Sequence, residues 1–280
     1  MMLAHAKINL GLYVVARRPD GYHEVETVFC RIGTADRLTF TEAPDIRVTA
    51  SSQEVPDDEH NICYKAARML RDHLGTKDGV HIHIEKNVPV GAGLGGGSAD
   101  AALVLNALPR FWHREIGSAD RARLALALGS DVPYFLFPGA ALGRGRGEQL
   151  DYFPLDIPFS ILLCYPAIHI PTAWAYGRIT PGSTGKPEDL RLVVTEGMRN
   201  PGILRQQLRN DFETIVFQAY PAVRHLKELM LERGAAFALM SGSGSTVFGL
   251  FADPPAAADL SRELAGRGYR AFVTPPHFTA

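Results

Sequence analysis

The alternation of hydrophobic and polar positions predicts several strands in the first part of the chain. Apolar residues at positions 6, 8, 10, 12 and 14 follow the two-residue period of a strand. This strand has one apolar face, and Lys7 and Asn9 share the other. A turn over residues 19–21 and a returning strand over 24–31 follow. Residues 80–85 show the same alternation and predict another strand.

Characteristic end residues predict two helices in the same part of the chain. Asn61 can cap a helix that runs to residue 74, with Gly75 as its stop. Ser118 can cap a second helix that ends at Gly129. The strands and helices together predict a mixed α/β fold.

The second part of the chain has a different order of elements. Several helical stretches lie between its first two strands, interrupted by a loop over residues 180–187. The predicted elements are strands over 159–165, 237–240, 246–251 and 269–273, and a last helix over 256–266. This order is β-α-β-β-α-β with extra helices, the split βαβ arrangement. Residues 144–157 are a plausible border, which predicts domains over 1–150 and 151–280.

Composition and charge exclude several classes of function. The 280 residues carry a formal net charge of -1, so we expect no bulk attraction to nucleic acid or to a membrane. The three cysteines lie far apart without CxxC pairing, which argues against disulfides and structural zinc. No signal peptide and no membrane-spanning run is recognisable. We therefore expect a soluble cytoplasmic protein. A monomer or weak homodimer is a separate prediction, which composition does not decide.

The most informative segment is a glycine-rich stretch between a strand and a helix. Residues 89–99 read Pro-Val-Gly-Ala-Gly-Leu-Gly-Gly-Gly-Ser-Ala, with five glycines in seven positions. Residues 99–108 are almost all good helix formers, closed by Pro109. Exposed N–H groups and the positive end of the helix dipole would converge at this helix start. This arrangement is suited to binding a phosphate group.

Three types of nucleotide-binding loop are candidates for this stretch. A Walker A loop requires a lysine directly before the Ser or Thr, whereas Gly97 precedes Ser98 here. The dinucleotide pattern GxGxxG is satisfied, but Glu115, which has the right spacing for the acidic partner, does not follow a strand. An ATP loop of the type Pro-x-x-x-Gly-Leu-Gly-x-x-Ser fits directly. A purely structural glycine turn is disfavoured, because each glycine costs backbone entropy.

At this point the chain resembles the GHMP kinases. The glycine stretch is similar to the second motif of that family, and further blocks stand in the order found in one group of its members. These blocks cover residues 6–10, 18–23, 61–62, 128–133, 145–148, 170–172 and 241–244. Among them, Asp-Gly-Tyr-His at 20–23 and Gly-Ser-Asp-Val-Pro at 129–133 are the most specific.

The resemblance implies both a fold and a reaction. The fold would be a two-domain GHMP kinase fold, with an N-terminal α/β sandwich domain followed by a ferredoxin-like split βαβ domain. The reaction would be ATP-dependent phosphorylation of the 2-hydroxyl of 4-diphosphocytidyl-2-C-methyl-D-erythritol, on the non-mevalonate route to isoprenoid precursors. No acidic cluster with metal spacing stands out, so Mg²⁺ would be held mainly by ATP oxygens and water, without protein ligands.

Two residues are implied to be catalytic. Asp131 would orient the substrate hydroxyl and accept its proton. Lys7 would keep Asp131 ionised or offset charge on the transferring phosphoryl group. The alternatives are that Asp131 caps a short helix and that Lys7 is a solvated lysine.

The resemblance also assigns a nucleotide site. Ser98 and the glycines would cradle the phosphates, while Asn61 and Lys86 would line the adenosine side or the cleft. For Asn61 a helix cap, and for Lys86 a strand-end charge, are equally good explanations. The residues assigned to the loop are Pro89, Val90, Gly91, Ala92, Gly93, Leu94, Gly95, Gly96, Gly97, Ser98 and Ala99.

A substrate site follows from the same resemblance. Tyr22 and His23 would hold cytosine by stacking and hydrogen bonding, with Tyr176 as the second aromatic plate. Asn9 and Thr172 complete the predicted substrate site. Trp174 is a rival for the position of Tyr176, and core packing is the alternative for each aromatic ring.

Three rival functions remain at this point. A GHMP kinase acting on mevalonate or homoserine is disfavoured by the Asp-Gly-Tyr-His block at 20–23. An NAD-dependent oxidoreductase would depend on the GxGxxG pattern alone. A non-catalytic nucleotide-binding module is hard to reconcile with Lys7 and Asp131 at their family positions.

Overall fold

The computed structural model describes residues 1–182 and 185–280. The chain forms two compact units, each assembled from separate segments. The first unit comprises Met1–Ala6, Ala35–Val90 and Gly95–Pro138, and the second comprises Lys7–Thr34, Gly91–Leu94 and Gly139–Ala280. The domain boundaries at 1–150 and 151–280 stay a prediction. Within the described residues, no helix is long and apolar enough to cross a membrane.

The first unit packs helices on a small mixed sheet. Strand β4 (Val80–Glu85) pairs in parallel with β3 (Ile46–Ala50) and antiparallel with the last residues of β2 (His23–Thr41). The apolar residues of β4 are buried, as the alternation predicts. The helical segments of this unit are α1 (Ile62–Leu74), α2 (Gly96–Phe111), α3 (Ser118–Leu128) and a 3-10 helix (Val132–Leu136).

The helix ends confirm some predictions and correct others. Asn61 caps α1 and Gly75 ends it with a φ of +61°, as predicted. Helix α2 starts at Gly96 and continues past Pro109, so Pro109 was wrongly predicted to close it. The proline ring fixes a helical φ, and only one backbone bond is lost so close to the helix end. Ser118 is the first helical residue, and the cap position belongs to Gly117.

The second unit contains a hairpin where a domain border was expected. Strand β1 (Met2–Arg17) pairs with β2, and residues 27–29 of β2 pair with β5 (Ala140–Arg144). Strand β5 is followed by β6 (Gln149–Phe153), antiparallel to it. Residues 144–157 therefore include β6, and their two glycines lie in the turn of this hairpin.

The second sheet of this unit confirms the predicted split βαβ arrangement. Its strands lie in the order β10, β7, β9, β8 and all pairs are antiparallel. The strands are β7 (Ser160–Tyr165), β8 (Phe237–Met240), β9 (Val247–Phe251) and β10 (Arg270–Thr274). The helices are α4 (Thr172–Tyr176), α5 (Leu190–Gly197), α6 (Pro201–Gln207), α7 (Phe212–Ala219), α8 (Pro221–Glu232) and α9 (Pro254–Gly266).

The core of the second unit lies between this sheet and its helices. Apolar side chains of β7, β8, α7, α8 and α9 form one buried cluster, which also includes Leu12 and Val14 of β1. The loop predicted over residues 180–187 includes 183–184, which lie outside the described residues. Burial of these apolar faces supplies the main driving force for folding of the unit.

Candidate active site

The glycine-rich loop adopts backbone conformations that most side chains disfavour. Gly91, Gly93 and Gly95 have φ angles of +65°, +79° and +67°. Glycine adopts such angles readily because it has no Cβ atom. Gly95 is the N-cap of α2, so the loop leads directly into the helix. The predicted order of strand, glycine loop and helix is confirmed.

Two more glycines lie in the first turn of α2 and differ in their surroundings. A Cβ atom on Gly96 would lie 2.8 Å from Val88 Cγ1 and 3.2 Å from Lys86 Nζ. A Cβ atom on Gly97 would meet Ile62 Cγ2 at 3.7 Å, an ordinary contact, and Gly97 is exposed. Packing within the first unit therefore requires glycine at position 96 but not at position 97.

The start of α2 can bind an anion. The N–H groups of Gly96, Gly97 and Ser98 precede the first helical hydrogen bond, which runs from the N–H of Ala99 to the carbonyl of Gly95 at 2.9 Å. Such N–H groups have no partner within a helix, and the helix dipole places partial positive charge there. Phosphate groups are among the anions bound in this way.

Residues of the second unit hold the middle of the loop. The carbonyl oxygen of Gly93 accepts hydrogen bonds from Lys7 Nζ at 3.1 Å and from Ser241 Oγ at 3.0 Å. The backbone N–H of Lys7 donates to the carbonyl of Leu94 at 2.9 Å. A Cβ atom on Gly93 would come within 2.2 Å of the carbonyl oxygen of Ser241. The close approach of these backbones explains why glycine occupies position 93.

Lys7 and Asn9 form a buried polar pair on β1. They are 4% and 2% exposed, and Lys7 Nζ donates to Asn9 Oδ1 at 2.7 Å. Asn9 Nδ2 donates in turn to Thr27 Oγ1 at 2.9 Å. The predicted sharing of one strand face is confirmed, and the solvated-lysine alternative for Lys7 is wrong. A charge buried to this extent is stable only when it is hydrogen-bonded, as it is here.

The predicted stacking residue Tyr22 lies at the surface of the second unit. It follows the tight turn at Gly21, whose φ is +85°, and it is 54% exposed. The guanidinium carbon of Arg146 lies 4.7 Å from the centre of the Tyr22 ring, a cation–π contact. Tyr22 is therefore not a core residue, and its role in binding a base stays a prediction.

The structure brings His23 and Tyr176 together. Their ring centres are 5.0 Å apart, with an angle of 31° between the planes. Partial burial, with a smaller effect of Arg17, lowers the pKa of His23, so its ring favours the neutral form. The rival Trp174 packs instead against Tyr220, with ring centres 5.6 Å apart. A sandwich that also includes Tyr22 stays a prediction.

Comparison with known proteins identifies the family. Residues 61–139 match the GHMP kinases N terminal domain, and residues 194–270 match the GHMP kinases C terminal domain. A 4-diphosphocytidyl-2-C-methyl-D-erythritol kinase from Prosthecochloris aestuarii is 44% identical over 278 residues, 98% of this chain and 96% of the relative. The chain belongs to the GHMP kinases. A relative of the same name from Chloroherpeton thalassium is 43% identical and covers 98% of this kinase and 97% of the relative.

Solved structures agree with this assignment. The crystal structure of a 4-(cytidine 5'-diphospho)-2C-methyl-D-erythritol kinase superposes with a TM-score of 0.84 at 35% identity, covering 98% of this GHMP kinase and 97% of that chain. A homoserine kinase from Cytophaga hutchinsonii gives 0.68 at 18% identity, covering 97% and 94%. The second likeness concerns the fold alone.

The predicted base lies at the start of a short helix in the first unit of the kinase. Asp131 immediately precedes the 3-10 helix, and Pro133 is near its beginning. Asp131 occupies the N-cap position of this helix, but in the part of the chain that the structure describes its side chain makes no capping hydrogen bond there. An interaction between Asp131 and Lys7, which belongs to the second unit, stays a prediction.

Asn61 and Lys86 have polar contacts within the first unit. Asn61 Oδ1 accepts from the N–H of Cys63 at 2.7 Å, and its Nδ2 donates to the carbonyl of Pro56 at 2.6 Å. Lys86 Nζ donates to Asp36 Oδ2 and to Asp100 Oδ2. A nucleotide contact from Asn61 or Lys86 stays a prediction.

Thr172 begins α4 in the second unit and is exposed. Its Oγ1 lies 3.3 Å from Ser243 Oγ. Ser243 belongs to the glycine-rich hairpin that also supplies Ser241, so Thr172 lies next to the segment that anchors the loop. A contact from Thr172 to substrate stays a prediction.

Sequence reasoning missed the two carboxylates that pair with Lys86. Asp36 lies in the long strand β2 and Asp100 in the first turns of α2, and both are buried. Their spacing along the chain gives no motif, because the pairing is made by the tertiary fold. An aspartate five residues into a largely apolar helix was the available signal.

Metal ligands were not expected from the protein. Among the residues that the structure describes, no group of three or more His, Cys, Asp or Glu side chains could hold a metal ion.

Proposed function

We propose that this GHMP kinase transfers a phosphoryl group from ATP to the 2-hydroxyl of 4-diphosphocytidyl-2-C-methyl-D-erythritol. The observation that carries this proposal is the 44% identity, over 98% of the chain, to a kinase named for that substrate. The reaction belongs to the non-mevalonate route to isoprenoid precursors. A cytoplasmic location and a monomer or weak homodimer remain predictions from the sequence.

The start of α2 supplies the phosphate-binding groups in this proposal. The N–H groups of Gly96, Gly97 and Ser98 would donate to phosphate oxygens, and the exposed Gly97 lets those oxygens approach the backbone. ATP bound there supplies the transferred group, with Mg²⁺ held mainly by its phosphate oxygens and by water. The hydrogen bonds from Lys7 and Ser241 to Gly93 would keep the loop in place.

The acceptor hydroxyl requires a proton acceptor and a nearby positive charge. Asp131 is the carboxylate proposed to orient the hydroxyl and to take its proton as the new bond forms. Lys7 would stabilise the ionised Asp131 or the charge on the transferring group. Its buried ammonium donates hydrogen bonds to Asn9 and Gly93, so its position is more restricted than that of a surface lysine.

The cytidine part of the substrate would bind on aromatic side chains of the second unit. Tyr22 offers an exposed ring for stacking, and His23 offers ring nitrogens to the edge of the base. Tyr176, in contact with His23, is the proposed second plate. Asn9 and Thr172 are the remaining proposed substrate residues.

An acceptor panel tests this proposal. Formation of ADP is followed with ATP and, in separate reactions, 4-diphosphocytidyl-2-C-methyl-D-erythritol, mevalonate and homoserine. We expect turnover with the cytidine compound alone and competitive inhibition by CMP. Equal or faster turnover of mevalonate or homoserine would assign the chain to another branch of the GHMP kinases.

A further inference from the structure

A buried ion cluster lies next to the proposed phosphate site. Asp36 on β2, Lys86 after β4 and Asp100 on α2 have side chains 0%, 6% and 4% exposed. Lys86 Nζ donates to Asp36 Oδ2, and to Asp100 Oδ2 at 2.9 Å. All three residues belong to the first unit. We call this group the Lys86 cluster.

The Lys86 cluster has two acidic groups and one ammonium. The second oxygen of Asp36 accepts hydrogen bonds from the N–H groups of Asn87 at 2.7 Å and Val88 at 2.8 Å, which stabilise its charge. The second oxygen of Asp100, Oδ1, is buried and accepts no hydrogen bond from the residues that the structure describes. Asp100 accepts fewer hydrogen bonds than Asp36, so its ionised form is the less stabilised of the two carboxylates.

The titration properties of the cluster agree with this assignment. Burial raises the pKa of Asp100 to about 7; Asp36 adds to the rise and Lys86 opposes it. Burial by itself lowers the pKa of Lys86. The attraction of the two carboxylates is the larger effect together, so the pKa of Lys86 lies above its usual value. Asp100 is thus the member that gains or loses a proton near neutral pH.

The elements packed against α2 carry further titratable groups. Burial, and next the charge of Asp100, raise the pKa of the Cys63 thiol on α1 well above its usual value, so it stays neutral. From α3, Arg121 donates to Asn106, farther along α2 than Asp100. Charge interactions with Asp100 involve Asp36, Lys86 and Cys63. Helix α1 also carries Tyr64, Lys65, Arg68, Arg71, Asp72 and His73, helix α3 carries Asp120, Arg121 and Arg123, and the 3-10 helix carries Tyr134.

The cluster is in contact with the turn that would bind phosphate. A Cβ atom on Gly96 would lie 3.2 Å from Lys86 Nζ, so the ammonium packs directly against the first turn of α2. Asp100 is four residues after Gly96 and therefore lies on the same side of the helix. Val88, which also packs on Gly96, is held by Asp36. The position of the first turn thus depends on the cluster.

We propose that Asp100 is a positioning residue for the nucleotide, holding the first turn of α2 through Lys86 and carrying a proton while the phosphate groups are bound. This inference rests on the proposed function, because it assumes that the turn binds phosphate. A bound triphosphate adds negative charge near the cluster, and a second buried carboxylate would oppose it. A proton taken from solvent by Asp100 leaves Asp36 and Lys86 as a neutral pair.

Calorimetry with a non-hydrolysable ATP analogue tests the proton. The analogue is titrated into the protein at pH 7.5 in two buffers whose ionisation enthalpies differ, so that the difference in heat gives the number of protons bound. We expect uptake in the wild type and its loss in Asp100→Asn. Asp120→Asn, which removes an exposed carboxylate on α3, should behave as the wild type. Equal uptake in the wild type and Asp100→Asn would overturn the proposal.

Affinity measurements test the positioning role. From pH 7 to pH 9 the wild type should bind the analogue severalfold more weakly, while Asp100→Asn keeps its affinity. Asp100→Leu, which leaves Lys86 with one partner, should bind the analogue about tenfold more weakly at both pH values while binding CMP normally. Unchanged analogue binding by folded Asp100→Leu would contradict the proposal; if this variant does not fold, the Asp100→Asn result decides. Failure of the wild type to bind the analogue would instead overturn the proposed function.

Discussion

The Nζ atom of Lys7 donates a hydrogen bond to the carbonyl oxygen of Gly93 at 3.1 Å. This bond joins β1 to the middle of the glycine-rich loop, and the same ammonium holds Asn9 at 2.7 Å. Lys7 is therefore both a buried charge and an anchor of the loop. Substitutions at Lys7 will affect loop geometry as well as any charge that it supplies to the reaction.

Gly96 and Gly97 allow the effect of a side chain on packing to be distinguished from its effect on ATP binding. Gly97→Ala should fold and gain up to about 1 kcal/mol of stability, because alanine favours a helix more than glycine does. It should nevertheless raise KM for ATP at least severalfold, since the new Cβ atom occupies the exposed helix start. Thermal unfolding and steady-state kinetics of the same protein samples measure both effects.

Gly96→Ala is the matched comparison. Its Cβ atom would meet Val88 Cγ1 at 2.8 Å, so we expect destabilisation by about 1–3 kcal/mol from overpacking. If Gly97→Ala were the less stable variant, the packing difference between the two positions would be wrong. An unchanged KM for ATP in Gly97→Ala would contradict the assignment of the exposed helix start to phosphate.

The exposed ring of Tyr22 should contribute to binding of the cytidine substrate. Stacking of a base on an aromatic ring contributes about 1–3 kcal/mol, so Tyr22→Ala should weaken CMP binding by about 5- to 150-fold. Tyr22→Phe keeps the ring and should bind CMP nearly as well as the wild type. KM for ATP should stay unchanged in both variants. Wild-type affinity of Tyr22→Ala for CMP would remove Tyr22 from the substrate site.

Asn61 is the residue for which a helix cap and a nucleotide contact have to be distinguished. Asn61→Ala should lose about 0.5–2 kcal/mol of stability through loss of the cap on α1. Asp189→Ala removes the equivalent side-chain cap of α5 and serves as the control. A larger KM for ATP in the Asn61 variant alone would support the nucleotide role; equal KM values in both variants would leave the cap as its function.

The sequence allowed the fold to be predicted where local signals agree with tertiary packing. The alternating residues of β4 and the end residues Asn61 and Gly75 of α1 gave correct elements, because the buried face and the caps are local properties. The predicted end of α2 at Pro109 was wrong. A proline near a helix end is tolerated where neighbouring helices bury the apolar side chains around it.

The candidate site was predictable only in part, because its polar contacts connect distant segments. The phosphate-binding turn follows from glycines and a helix start that lie together in sequence. The bond between Ser241 and Gly93 and the Lys86 cluster depend on strand pairing and helix packing that no spacing along the chain specifies. The catalytic roles of Lys7 and Asp131 were assigned by the resemblance to GHMP kinases. Their residue types and spacing alone did not indicate catalysis.

The raised pKa of Asp100 predicts how stability depends on pH. Burial raises that pKa from 3.8 to about 7, so the folded protein keeps a proton that the unfolded chain loses earlier. The resulting stabilisation is complete below pH 3.8 and is lost as the pH rises to about 7, by at most about 1.4 kcal/mol per pH unit. Asp100→Asn lacks this dependence and should gain stability relative to the wild type over that interval.

Urea unfolding of the wild type and Asp100→Asn at pH 5, 6, 7 and 8 measures the difference. Other titrating groups are common to both proteins and cancel in the comparison. The advantage of the variant should grow from pH 5 to pH 7 and then level off. A difference that is constant over this range would show that Asp100 has an ordinary pKa in the folded protein.

A double-mutant cycle on kcat tests most directly whether Lys7 and Asp131 act together on the substrate hydroxyl. Lys7→Ala and Asp131→Ala should each lower kcat by at least about 10²–10⁴-fold with ATP and 4-diphosphocytidyl-2-C-methyl-D-erythritol. We predict that the double variant is hardly slower than the slower single variant, because residues that act as one unit lose their function together. A double variant whose loss equals the product of the two single losses would contradict the claim.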